Sequence, residues 1–160
     1  MTPRLLTLLA FLCLSCATTT EGPEPEPREP SSAASDGDVL VVPTPDSLDR
    51  GVWNVGSGEH GHFALAWRPV GGRVPRNEPF ELEVLVFRDG ELVTPQAVLV
   101  RGWMPDHGHG FVRDPLTTVL GDGRLGVEGM LFHMRGFWQL FFDLHDGSTS
   151  DVVAFELTIR

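Results

Sequence analysis

Phe80-Glu81-Leu82-Glu83-Val84-Leu85-Val86-Phe87-Arg88-Asp89-Gly90-Glu91 is the stretch that decides the fold class. Phe80, Leu82, Val84 and Val86 recur at every second residue, with Glu81 and Glu83 between them. A period of two puts the first set on one face of an extended chain and the glutamates on the other, the pattern of a half-buried strand. The run stops at Arg88-Asp89-Gly90-Glu91, a hairpin turn signal, because Asp-Gly adopts the backbone angles a tight reversal needs.

The same pattern extends in both directions. Upstream, Phe63, Leu65 and Trp67 alternate with small or polar residues. Downstream, Ala97 to Trp103 reads as a strand. Leu116 to Leu120 and Leu125 to Phe132 form a hairpin about Gly121-Asp122-Gly123. Phe137 to Leu144 and Val152 to Ile159 form another, joined through Asp146-Gly147. No stretch sustains a helical period. Short strands with regularly spaced turns predict an all-β domain, an immunoglobulin-like antiparallel β-sandwich of about seven strands.

The chain before this domain reads differently. Met1-Thr-Pro-Arg4 is followed by the apolar run Leu5 to Leu14 and then Ser15-Cys16. A basic start, a short apolar run and a small residue before the cut are the marks of a secretory signal. The run is shorter than the ~20 residues that cross a bilayer. Leu14-Ser15-Cys16 resembles a bacterial lipobox, with Cys13 where Leu is usual. On this reading residues 1–16 are a signal peptide ending at Cys16, which carries the lipid; the alternative is an ordinary cut near Ala17. Residues 17–51, with Glu-Gly-Pro-Glu-Pro-Glu-Pro-Arg-Glu-Pro near their start, have few large apolar groups. They are expected to form a disordered, extended tether, leaving 52–160 as the domain.

Charge and cysteine content narrow the function. The net charge is −10 with His neutral, and no basic cluster interrupts it. Nucleic acid is therefore not an expected partner. Both cysteines lie in the signal region, so the domain has no thiol for a disulfide, a Cys-ligated zinc site or a nucleophile.

The residues best suited to chemistry are in Trp103-Met104-Pro105-Asp106-His107-Gly108-His109-Gly110 and in His133-Met134-Arg135-Gly136. His107 and His109 fall on one side if the chain there is extended, and the glycines keep the imidazoles accessible. Each segment joins imidazole to thioether, a mixture that suits copper, Cu(I) in particular, because thioether is a soft donor. Met134 reads equally well as a core residue, and Met130 reads as core. Trp103 and Trp138 are expected to plug the sandwich. Asp106 and Glu128 are expected to be solvated carboxylates. His60-Gly61-His62 is read as a solvated loop edge, with a second metal site as its alternative, and His145 as a turn residue.

The run Met104-Pro105, His107-Gly108-His109-Gly110, followed by Phe132, Met134, Gly136 and Trp138, resembles the YtkA-like domain family over about His62 to Ile159. The resemblance implies an exported immunoglobulin-like sandwich and suggests copper handling. The family often has a second Met where this chain has Asp106, so a soft donor is missing if that Met is a ligand.

Strand parity adds a prediction. If each strand crosses the sandwich and each connection reverses the chain, Met104, His107, His109, His133 and Met134 share one end, and His60, His62 and His145 share the other. The expected function is a lipid-anchored, non-enzymatic copper-binding or copper-delivery module of the cell envelope. Its expected partners are the membrane, through the lipid, and a copper protein of the envelope. The alternative is a non-catalytic interaction domain with structural histidines. A hydrolase is disfavoured, since no Ser lies near the histidine motifs and no Cys is available.

Overall fold

The computed structural model describes residues 42–160. The signal segment, Cys16 and most of the expected tether lie outside the described residues. Ten strands follow a single 3-10 turn, Pro45–Ser47: β1 Asn54–Ser57, β2 Ala64–Pro69, β3 Phe80–Arg88, β4 Glu91–Leu92, β5 Ala97–Met104, β6 His109–Gly110, β7 Leu116–Gly121, β8 Arg124–Met130, β9 Gly136–Asp146 and β10 Thr149–Ile159. They make an all-β fold of two antiparallel sheets packed as a sandwich. One sheet has the order β1-β2-β3-β8-β7, with β4 also paired to β3; the other has the order β10-β9-β5-β6. Strands β1, β4 and β6 are the short additions to the expected set.

The core lies between the sheets. Leu65, Trp67, Leu82, Val84, Val86, Leu125 and Val127 face Val100, Trp138, Leu140, Phe142, Leu144 and Val153 across it. Each large side chain removed from water here contributes roughly 1.5–3 kcal/mol before conformational entropy is charged against it.

Strand β3 departs from the half-buried pattern along its second half. Leu85 and Phe87 point to the outer face and are nonetheless buried, in a second small cluster with Ala66. Leu48, Trp53, Val55 and Leu92 pack over them. The consecutive apolar residues at 84–87 are thus covered on both faces, as such a run requires. Packing onto the sheet begins at Leu48, ahead of the expected domain start at residue 52. The segment is held locally, with Ser47 Oγ accepting from the Thr44 N–H at 2.8 Å and donating to the Thr44 carbonyl at 2.9 Å. Leu48 and Trp53 are the apolar anchors that composition alone underweights.

Strand register fixes which loops meet. β5 and β9 pair from Ala97↔His145 to Trp103↔Gln139. The turn after Trp103 and the loop before Gly136 therefore emerge at one end, and His145 lies at the other. Gly123 bonds back to Val86 and to Thr94, so the β7–β8 turn sits beside the β3–β4 turn, away from the histidine hairpin.

Candidate functional site: a row of imidazoles over Trp138

The β5–β6 connection is a tight turn. The N–H groups of His107 and Gly108 both donate to the Met104 carbonyl, at 3.1 and 2.9 Å, and Gly108 takes φ +67°, a region that costs other residues about 1–2 kcal/mol. The two histidines are therefore not brought together by extended chain. A left-handed glycine curls the backbone between them, and their ring centroids are 5.8 Å apart. His133, from the loop between β8 and β9, stands next to His109, with centroids 5.1 Å apart. The three imidazoles form a row with His109 in the middle.

Trp138 supports that row. Its indole meets His109 edge-on at 5.9 Å and His133 at 5.5 Å. Phe111 stacks on it at 5.8 Å and Phe132 meets it edge-on at 5.2 Å. Its Nε1–H donates to the Met134 carbonyl at 3.1 Å, which anchors the loop carrying His133. A large aromatic with its one polar atom satisfied makes a stiff platform.

The surrounding motif residues have packing reasons. Met104 is fully buried, and its Cε lies 2.6 Å from where a β-carbon on Gly136 would stand. Gly136 also has φ +129°, so both space and backbone call for glycine there. A β-carbon on Gly102 would enter the Phe111 ring, and one on Gly110 would come within 2.6 Å of the Gly102 carbonyl. These glycines let β5 and β6 approach closely with Phe111 laid across them. Met134 is half-buried against the main core. Trp103 corrects the expectation of a core plug. It is on the outer face of its sheet and 41 % exposed, whereas Trp138 is the plug.

Two ring nitrogens bear on chemistry. His109 Nδ1–H donates to the Gly110 carbonyl at 3.1 Å, which selects the tautomer whose neutral ring has its lone pair on Nε2. His133 Nδ1 is buried and has no hydrogen-bond partner, a state that costs about 1–3 kcal/mol unless something pairs with it. His107 is exposed in the turn, as is Asp106. Among the described residues no three His, Cys, Asp or Glu side chains are already gathered about one point. His107 and His133 each neighbour His109, and a shared ion requires the outer rings to turn towards it.

The other histidines are elsewhere. His145 is exposed and shares a hydrogen bond of 2.8 Å with Ser150 Oγ. His60 and His62 lie against Asp151, whose strand partner Leu144 is next to His145, so they are at the end of the sandwich remote from Trp103 and Gln139. Glu128 is exposed on β8.

Asp151 is the residue the sequence reading passed over. It is a charged side chain in the core, with only 2 % of its surface exposed. Oδ1 accepts the N–H groups of His60 and Val152, both at 2.9 Å, and Oδ2 those of His62 and Phe63, at 2.8 and 3.3 Å. Burial pushes its carboxyl up, but these four donors outweigh that and hold it below the usual carboxylate range. Its position was legible in the alternation, since Asp151 is in phase with Val153 and Ile159, which are buried.

Compared with protein-family models and with curated proteins, the chain gives no match.

Proposed function

We propose that the protein is an exported, lipid-anchored, non-enzymatic module of the cell envelope that binds copper at the end of an immunoglobulin-like sandwich, through His107, His109 and His133 with Met134 as an accessory thioether. The reading rests on one observation. Imidazoles from two separate loops meet over a single indole, and one of them has a buried nitrogen with no partner. A metal ion would give that nitrogen the bond it lacks, and the selected tautomer of His109 already offers Nε2. Imidazole with thioether suits copper better than zinc, which more often takes Cys or a carboxylate. Met104 is occupied by core packing, so the soft donor left near the row is Met134. A role in handing copper to another envelope protein follows from the same exposed turn, in which His107 is accessible. The lipid at Cys16 is the proposed membrane anchor.

The test is a copper titration of the exported chain. Trp138 is in edge contact with two of the ligands, so Cu(II) bound there should quench its fluorescence. The His109→Gln variant should lose the quenching and weaken binding at least tenfold. Unchanged affinity in that variant would remove the metal reading.

A second reading is a non-catalytic interaction domain. It is favoured by the exposed apolar side chains of Leu99 and Trp103 on the outer face of β5, of which Trp103 adjoins the histidine turn. Binding of a partner protein that is abolished by Trp103→Ser and indifferent to His109→Gln would favour it.

A further inference from the structure

We propose that His60-Gly61-His62 is a second metal-binding site, for a borderline divalent ion such as Cu(II) or Zn(II), with Asp151 as the carboxylate that orients it. The site is independent of the one at His107, His109 and His133 and does not rest on it.

The two imidazoles are nearly parallel, 16° apart, with ring centroids separated by 6.1 Å. An unrestrained loop with this sequence would not keep its histidines side by side. Here the backbone N–H groups of both residues are bound to the same buried carboxylate. The Gly61 N–H closes the turn on the Gly58 carbonyl at 3.0 Å, and Gly61 takes φ +71°. Gly58 completes the fit, since a β-carbon there would overlap the Asp151 carboxylate. The loop is thus moulded around Asp151, and the two rings are carried by its outer side.

His60 Nδ1 is 3.4 Å from Asp151 Oδ1. At that distance the carboxylate acts on the ring by charge and not through a hydrogen bond; what it orients is the loop, through the backbone N–H groups of His60 and His62. The four N–H donors occupy both oxygens of Asp151, so the carboxylate is not itself a ligand. The His60 side chain is 65 % exposed, so the ring is open to an ion from solvent. No third protein ligand of His, Cys, Asp or Glu type is gathered there among the described residues. Water completes the shell, and the site is the weaker of the two.

The experiment is amide-resolved NMR of the 15N-labelled exported chain during addition of Cu(II), whose unpaired electron broadens signals near it. The amides of Gly61, Phe63 and Val152 should broaden as a group distinct from those of Gly108, Gly110 and Met134. In a His60→Gln, His62→Gln double variant the first group should stay sharp up to at least tenfold more Cu(II), while the second responds as in the unaltered chain. The backbone bonds to Asp151 need neither imidazole, so the variant keeps its dispersed spectrum. In His109→Gln the first group should still broaden, which separates failure of the other site from failure of this one. Absence of broadening at Gly61 and Val152 with two equivalents of Cu(II), or its persistence in the double variant, would overturn the proposal.

Discussion

Replacing Asp151 with Asn tests the account of the fold at its most demanding point. The side chain changes by one atom and keeps its shape. In the native domain each carboxylate oxygen accepts two N–H groups, four in all, at 2.8–3.3 Å. An amide retains one oxygen and puts an NH2 group where the other was. Two backbone donors then lose their acceptor and face a donor instead. A buried donor left without a partner costs about 1–3 kcal/mol, and bonds to a charged acceptor are the stronger kind. Two of them give roughly 2–6 kcal/mol. The exposed side of the His60 loop can yield towards water, so we expect about 3–4 kcal/mol. At roughly 3–6 °C per kcal/mol, between the values for smaller and larger domains, Tm should fall by about 10–25 °C. Differential scanning calorimetry on both chains at neutral pH reads this directly. The sign of the pH dependence is also set. Because the folded carboxyl is held below its ordinary range, its stabilisation is full above the unfolded carboxylate pKa, about 3.9. It is lost as pH falls through the folded value. The difference between the two chains should therefore be constant near neutrality and shrink in strong acid. His60, whose Nδ1 is 3.4 Å away, faces a carboxylate in the native chain and a neutral amide in the variant. A Tm drop under about 3 °C would refute the view that this carboxylate holds the loop to the sheet.

Three further outcomes follow from the packing and the sequence. Gly136→Ala should destabilise the domain by about 1–3 kcal/mol in urea unfolding, because it combines φ +129° with a 2.6 Å approach to Met104 Cε. The two tryptophans should part company: Trp138→Ala should cost about 3–5 kcal/mol by the same assay, and Trp103→Ser on the outer face within about 0.5 kcal/mol. Palmitate labelling in cells should tag the chain and miss Cys16→Ser, with equal labelling of both excluding a lipid at that residue.

The sequence alone determined the seven longer strands and the all-β class. Alternation at Phe80 to Val86 and the Asp-Gly and Gly-Asp-Gly turns are local signals, set by which face of an extended chain meets water, and local signals survive without a tertiary context. Counting reversals also placed His133 at the end that carries His107 and His109, since antiparallel hairpins leave little freedom once the turns are known. Tertiary structure alone decided the rest. Trp103 and Trp138 are both aromatic and lie in strands of similar pattern, and only the pairing of β5 with β9 turns one outward and the other into the core. In a linear reading Met104 looks like a ligand and the motif glycines look like spacers that keep the imidazoles accessible. In three dimensions Met104 fills the space that Gly136 leaves, and Gly102 and Gly110 make room for Phe111. The alternation marks Asp151 as facing inward, but nothing local shows what pairs with it there. Its role depends on backbone N–H groups some ninety positions earlier in the chain, and a charge can lie in a core only where such donors converge on it.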